Sequence, residues 1–295
     1  MSRLNPISLY KKSLKTDSYR ADEVINIYLL RPLASIIVWI LYPTSVTPNQ
    51  VTISAILVGL AAAIAYGKGS TSGIVLGGIL IMLKDILDDA DGQLARAKQL
   101  YSRRGRFLDS IGDVVVNLFV FTAITLTLYQ QHPSAFTILL GIASFMGITL
   151  RVSYHVFYQV SYLHLEKCYT MNRLTEEITD EDMKGDPIAY RLQQAFTVIY
   201  GWQDRLMLKI DRWCRGRTAD DADIARWYGD RIGLRLSGLL GFGTEYAILA
   251  ICSWTNMLYL YLYINVFIMT GILLISVFYR RIWLAGQKKS ELNIN

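Results

Sequence analysis

The sequence predicts an all-α integral membrane protein: a six-transmembrane-helix bundle with an N-terminal interfacial helix and a cytoplasmic helical insertion. Three observations predict it. Hydrophobic residues fill 53% of the 295 positions, and the mean hydropathy is +0.30. The charged residues leave long gaps, with no Asp, Glu, Lys or Arg in Thr47–Gly67, Ser70–Leu83, Gln131–Leu150 or Thr255–Tyr279. A bilayer core takes a helix of roughly 20 apolar residues, and several of these runs reach that length. Finally, the linking segments alternate between nearly chargeless and rich in Lys and Arg, as the positive-inside rule requires of a polytopic chain.

Residues 1–47 read as a basic cytoplasmic arm followed by the interfacial helix. The first 25 residues carry Arg3, Lys11, Lys12, Lys15 and Arg20 and hold no continuous apolar core, so no signal peptide is expected. Glu23–Leu41 is apolar but interrupted by Arg31–Pro32, which favours a helix at the interface over a full span. Pro43 and Pro48 then break the chain, and Thr47 can cap the helix that Pro48 begins. Spans are expected at 48–67, 71–98, 105–130, 134–160, 234–254 and 257–280. The first four form a membrane core over 48–160, and the last two occupy 234–295 with a basic tail. Counting Lys and Arg puts both termini and the 96–106 loop in the cytoplasm, with the cell inner membrane as the expected address.

Residues 161–233 are the one large polar insertion. It holds an acidic patch at Glu176, Glu177, Asp180, Glu181 and Asp182. After Pro187, Leu192, Phe196, Ile199, Leu206, Ile210 and Trp213 recur at helical spacing, as in a helix on the membrane surface or against the bundle. The net charge of +6 fits cationic loops facing anionic lipid, and no nucleic-acid partner is expected. Cys168, Cys214 and Cys252 are too scattered for a disulfide framework, and His132, His155 and His164 do not complete a zinc site with them.

The chemistry concentrates in Lys84–Asn117. Asp88 and Asp91 are spaced i,i+3 and share a helix face, which Ala95 continues. Across the loop, Gly105, Asp109 and Asp113 follow i,i+4,i+8 on one face of the next helix. An antiparallel hairpin therefore directs four carboxylates into one site, with Gly92 and Gly105 removing bulk beside them. Such a cluster beside hydrocarbon is costly without compensating charge. All-oxygen ligation favours Mg²⁺, Mn²⁺ or Ca²⁺ over zinc, and two ions roughly 4 Å apart suit displacement at phosphorus. Arg96, one turn beyond Gly92, can offer a fork of donors to a phosphate. Asp85 and Asp89 lie near the site; Asp85 can support a ligand, whereas Asp89 is expected to point elsewhere.

The pattern Asp88-x-x-Asp91-Gly92-x-x-Ala95-Arg96, then eight residues, then Gly105-x-x-x-Asp109-x-x-x-Asp113 resembles the full signature of the CDP-alcohol phosphotransferases. The wider resemblance runs over roughly 25–160 and includes Thr47-Pro48-Asn49-Gln50-Val51-Thr52. It implies a six-helix membrane enzyme of phospholipid biosynthesis that displaces CMP from a CDP-linked lipid donor by attack of an alcohol hydroxyl. Asp88, Asp91 and Asp109 would then bind a pair of Mg²⁺ or Mn²⁺ ions. Asp113 would contact the second ion and act as general base. Gly92 and Arg96 match positions that hold the cytidine nucleotide, and Asn49, Thr52 and Ser102 match further nucleotide contacts. Members of this family commonly form homodimers.

The acceptor, a small alcohol or phospho-alcohol, is the less legible partner. Arg151 and His155 are spaced i,i+4 in the fourth span and can line a polar cavity, where Arg151 would hold an acceptor phosphate. Alternatively, Arg151 pairs with Glu245 or snorkels to the surface. Two other classes use intramembrane acids. Aspartate-rich prenyltransferases separate their acidic motifs by more sequence and give Gly92, Ala95, Arg96 and Gly105 no role. A cation carrier needs acids along a transmembrane path, whereas these cluster at one edge above an apolar run.

Overall fold

Backbone hydrogen bonds have no water partners in hydrocarbon, so a chain this apolar must close them internally, and helices do so. The computed structural model describes residues 18–166, 186–216 and 221–284, and every regular element among them is helical. The expected basic residues up to Lys15, the 176–182 acidic patch, Cys168 and the tail beyond Leu284 lie outside the described residues.

A 3₁₀ turn, Ser18–Arg20, and a π-helical turn, Asn26–Leu30, lead into α1, Arg31–Leu41. The wide turn sits where Pro32 removes a backbone donor from the ladder. The apolar stretch Asn26–Leu41 is too short to cross a membrane, in agreement with the expectation that it does not span. It does more than lie at an interface: Ala34 and Val38 pack into a core with Val51, Ala90 and Leu94.

The bundle follows as α2 (Pro48–Gly67), α3 (Thr71–Lys98), α4 (Arg103–Gln131) and α5 (Ala135–Leu165). Thr47 is extended ahead of α2 and donates its N–H to Gln50 Oε1 at 2.8 Å, so the expected start is the observed one. Ser70, Ser102 and Ser134 cap the next three helices, each accepting from a backbone N–H of the first turn. After the insertion come α8 (Arg231–Gly238), α9 (Phe242–Trp254), α10 (Leu258–Tyr263) and α11 (Thr270–Phe278), with a π-helical stretch Ile264–Met269 joining the last two. The principal core joins Tyr66, Ile81, Val116, Phe121, Tyr246 and Tyr261.

Among the described residues, five helical stretches are long and apolar enough to cross a membrane: Pro48–Gly67, Arg103–Gln131, Ala135–Leu165, Arg231–Trp254 and Leu258–Ile282. Their length and composition are those of a multi-pass membrane protein. The expected count of six is not met on that criterion. The remaining candidate, α3, is 28 residues long, but Lys84, Asp85 and Asp88 interrupt its apolar character.

Within the insertion, α6 (Pro187–Arg215) and α7 (Asp221–Gly229) are helical. The buried stripe of α6 runs through Ala189, Gln193, Gln203, Met207, Asp211 and Cys214. The expected apolar set is therefore only partly inward, and Trp213 at its end is 52% exposed. Polar bonds explain the rotation. Tyr200 donates to the Ser110 carbonyl at 2.7 Å, Ser153 bonds Gln203, and Asp211 accepts from Tyr158, Trp227 and Tyr228. Burial pushes the Cys214 thiol up to about 11.

Candidate active site

The hairpin of α3 and α4 places Asp88, Asp91 and Asp109 so that one ligand oxygen from each lies within 4.8 Å of the others. Three of the four carboxylates that the i,i+3 and i,i+4 spacings direct toward one another meet here. Asp109 Oδ1 is buried and has no hydrogen-bond partner among the described residues. An all-carboxylate trio with an orphaned oxygen fits a hard divalent cation, which would supply the missing positive charge.

Asp113 stands one turn further along α4 and is engaged differently. Its carboxylate is bonded to the ammonium of Lys84, which also lies 3.5 Å from Asp88 Oδ1. Lys84 is fully buried beneath the site, with its nitrogen 5.6 Å from the ring centre of Tyr246 and 5.8 Å from that of Phe242. Sequence reasoning missed this residue. The available signal was a lysine inside an apolar run, four residues before an aspartate and so on the same face.

Of the expected nucleotide contacts, Gly92 and Arg96 line one cavity with the three carboxylates. A Cβ on Gly92 would stand 3.3 Å from Arg96 Nη1, so the glycine keeps the guanidinium close to the backbone. Thr52 is buried and donates its hydroxyl to Asp91 Oδ2, orienting that carboxylate. Asn49 Nδ2 reaches Ser102 Oγ at 3.5 Å, and Ser102 accepts from the Gly105 N–H at 3.2 Å. Thr52 thus touches a carboxylate directly, whereas Asn49 and Ser102 bond one another beside Gly105, and none of the three lines the cavity. Gly105 faces Asn49 so closely that no Cβ would fit.

The cavity holds about 260 Å³ and reaches beyond the signature. Asp22, Glu23 and Asn26 from the N-terminal segment close one side, and His155 and Gln159 of α5 form another wall. Asp22 ties this roof down through an ion pair with Arg31 and a bond from Gln159 Nε2 at 3.3 Å. Glu23 accepts from the Thr244 N–H at 2.9 Å, at the start of α9, where free helix N–H groups favour an anion. Burial nonetheless pushes its carboxyl up to about 8. Asp89, expected to point away, lines the same cavity with Asp85. The opening is wider than one helix face because α1 packs against α3 on the side that carries Asp89.

Arg151 does not reach the cavity lining. Its Nε donates to Glu245 Oε1 at 2.6 Å and its Nη1 to Thr270 at 3.2 Å, and both ionic partners are fully buried. The pairing alternative is the observed one. Beneath the carboxylates, Gly59 allows α2 to approach α4: a Cβ there would sit 2.6 Å from Val116 Cγ1 and 3.2 Å from Lys84 Cγ. Gly59→Ala should cost about 1–3 kcal/mol by overpacking, measured as a lower thermal midpoint, and should displace Lys84.

A comparison with known proteins agrees with this geometry. Residues 45–175, somewhat under half of the chain, match the family model described as CDP-alcohol phosphatidyltransferase. A bifunctional IPC transferase and DIPP synthase from Archaeoglobus fulgidus is 43% identical over 86 residues, 29% of this chain and 16% of the relative. The protein of the same name from Aquifex aeolicus is 34% identical over 99 residues, covering 32% and 22%. An archaetidylinositol phosphate synthase from Pyrococcus horikoshii is 33% identical over 96 residues, covering 32% and 50%. The matched segment thus spans half or less of each of these relatives. The family is metal-dependent, and the three clustered carboxylates are the residues that could hold an ion.

Proposed function

We propose that this chain transfers a substituted phosphate, phosphatidyl from CDP-diacylglycerol, to the hydroxyl of a small alcohol and releases CMP. The observation that carries the reading is the convergence of Asp88, Asp91 and Asp109, with Asp113 beside them on α4. Magnesium or manganese held by these carboxylates would offset negative charge on the donor pyrophosphate. Arg96 faces the cavity one turn from Gly92 and can bind donor phosphate oxygens through its planar fork. Asp113 accepts the proton of the attacking hydroxyl as its oxygen bonds to phosphorus. The phosphorus–oxygen bond to CMP breaks, and CMP leaves with the electron pair. Lys84 holds Asp113 in place.

The same reading makes α3 a sixth transmembrane helix whose polar half lines the site rather than facing lipid. With both termini and the 96–106 loop in the cytoplasm, the site opens where CDP-linked precursors are made. The test is a membrane assay with labelled CDP-diacylglycerol, Mg²⁺ or Mn²⁺ and a panel of alcohols. CMP release should depend on alcohol and metal, and Asp113→Asn should abolish it. Undiminished turnover in Asp91→Ala and Asp113→Asn would sink the mechanism, and consumption of a prenyl diphosphate would favour the prenyltransferase class.

A further inference from the structure

Helix α6 runs across the bundle rather than along it. Its start meets α4, where Asp186 pairs with Arg104 and the Tyr200 hydroxyl donates to the Ser110 carbonyl. Its middle meets α5, where Ser153 bonds Gln203 and Tyr158 donates to Asp211 at 3.2 Å. Its end meets the last apolar stretch: Arg281 Nη1 donates to the Trp213 carbonyl at 2.7 Å, and Cys214 Sγ lies 3.7 Å from that of Val277. Ser110 and Tyr158 each stand about two turns, roughly 10 Å, inside the ends of α4 and α5 nearest the α3–α4 loop. A 29-residue helix fixed at these points lies at one level, near the ends of the membrane helices, where hydrocarbon gives way to headgroups.

The buried stripe through Gln203, Met207 and Asp211 leaves the opposite face outward. That face carries Val198, Trp202, Arg205, Lys209, Arg212 and Trp213, all exposed, and Val198 is 78% exposed. At 3.6 residues per turn, Trp202 and Trp213 fall along one edge and Arg205 and Arg212 along the other, with Lys209 between them. The two acids of α6 are elsewhere: Asp211 is buried and Asp204 half-buried. Tryptophan along one edge and cations along the other match a surface with acyl chains on one side and phosphates on the other. A second copy of the chain fits less well, because two-fold pairing would set this cationic face against itself.

We propose that the outer face of α6 docks on the headgroups of anionic phospholipids. Trp202 and Trp213 sit at the acyl boundary, and Arg205, Lys209 and Arg212 face the lipid phosphates. The polar stripe of α6 fastens the insertion to the bundle, and the outer face fastens it to the bilayer. This surface stands apart from the carboxylate site and holds whether or not the transferase reading does.

The test uses the full-length chain in phosphatidylcholine nanodiscs that contain a minor fraction of lipid brominated on its acyl chains, a quencher of tryptophan fluorescence. The chain has six tryptophans, so the α6 signal is the difference between the wild type and Trp202→Phe combined with Trp213→Phe. Brominated phosphatidylglycerol should quench that signal at least about 3-fold more than brominated phosphatidylcholine at the same fraction, and added salt should shrink the excess. Arg205→Gln, Lys209→Gln and Arg212→Gln together should remove most of the excess. Arg205→Lys with Arg212→Lys should keep it, because the headgroup responds to charge rather than to guanidinium shape. Equal quenching by the two lipids, or an excess that survives the glutamine variant, overturns the proposal. Quenching by neither lipid also overturns it, since the face then lies in water or against protein. So does a dimer, seen by mass photometry, that the glutamine variant dissociates, which would assign the face to a second copy.

Discussion

Lys84→Met is expected to lower CMP release by about 10²-fold or more, the scale on which a positioned general base contributes. The reason is electrostatic. Lys84 is fully buried, and its ammonium bridges Asp113 to Asp88. Methionine keeps the stem but leaves two carboxylates facing one another without an intervening cation. Removing one member of a buried pair typically costs about 3–5 kcal/mol, because the other charge is left uncompensated. Lys84→Arg should not rescue fully, since Gly59 and the rings of Phe242 and Tyr246 leave little room for a planar guanidinium. The measurements are CMP release and thermal unfolding of Lys84→Met, Asp113→Asn and the double variant. In the double variant the two losses should fall well short of additive. Wild-type turnover in Lys84→Met would mean that the lysine has no part in holding Asp113.

The acidic site was legible because helical periodicity alone fixes it. Asp88 and Asp91 must share a face whatever surrounds them, as must Asp109 and Asp113, and a short loop brings the two faces together. The same arithmetic does not say which carboxylate receives a neighbouring cation. Asp113 is matched to Lys84, whereas the other three cluster among themselves. The roof was illegible for a different reason. It depends on Glu23 meeting Thr244, 221 positions away, and on Asp22 meeting Gln159, and no local pattern encodes such pairs. Asp89 failed as an outward residue because α1 folds onto that side of α3. Its role as part of the wall is decided by tertiary packing, not by helix phase. The insertion shows the limit of apolar periodicity: the side chains that anchor α6 include Gln203 and Asp211, which a hydrophobic pattern discards.

Arg151→Met should destabilise the protein by about 3–5 kcal/mol, whereas Arg151→Met combined with Glu245→Met should recover most of that loss. The pair is fully buried, with Glu245 accepting from Arg151 and, at 2.9 Å, from Asn265 Nδ2. Removing the arginine strands a carboxylate in apolar surroundings beside Tyr261, whereas removing both charges leaves a volume that methionine can fill. The same experiment separates two roles for a cation on α5. If Arg151 gripped an acceptor phosphate, the double variant would be stable but would lose turnover with phosphorylated acceptors. With the guanidinium held by Glu245 and Thr270 instead, the double variant should keep its acceptor preference and a kcat/KM within about 3-fold of wild type, once compared at equal folded fraction. Thermal unfolding reads the first half of the expectation and CMP release the second. A stable double variant with selectively impaired use of phosphorylated acceptors would return Arg151 to the active site.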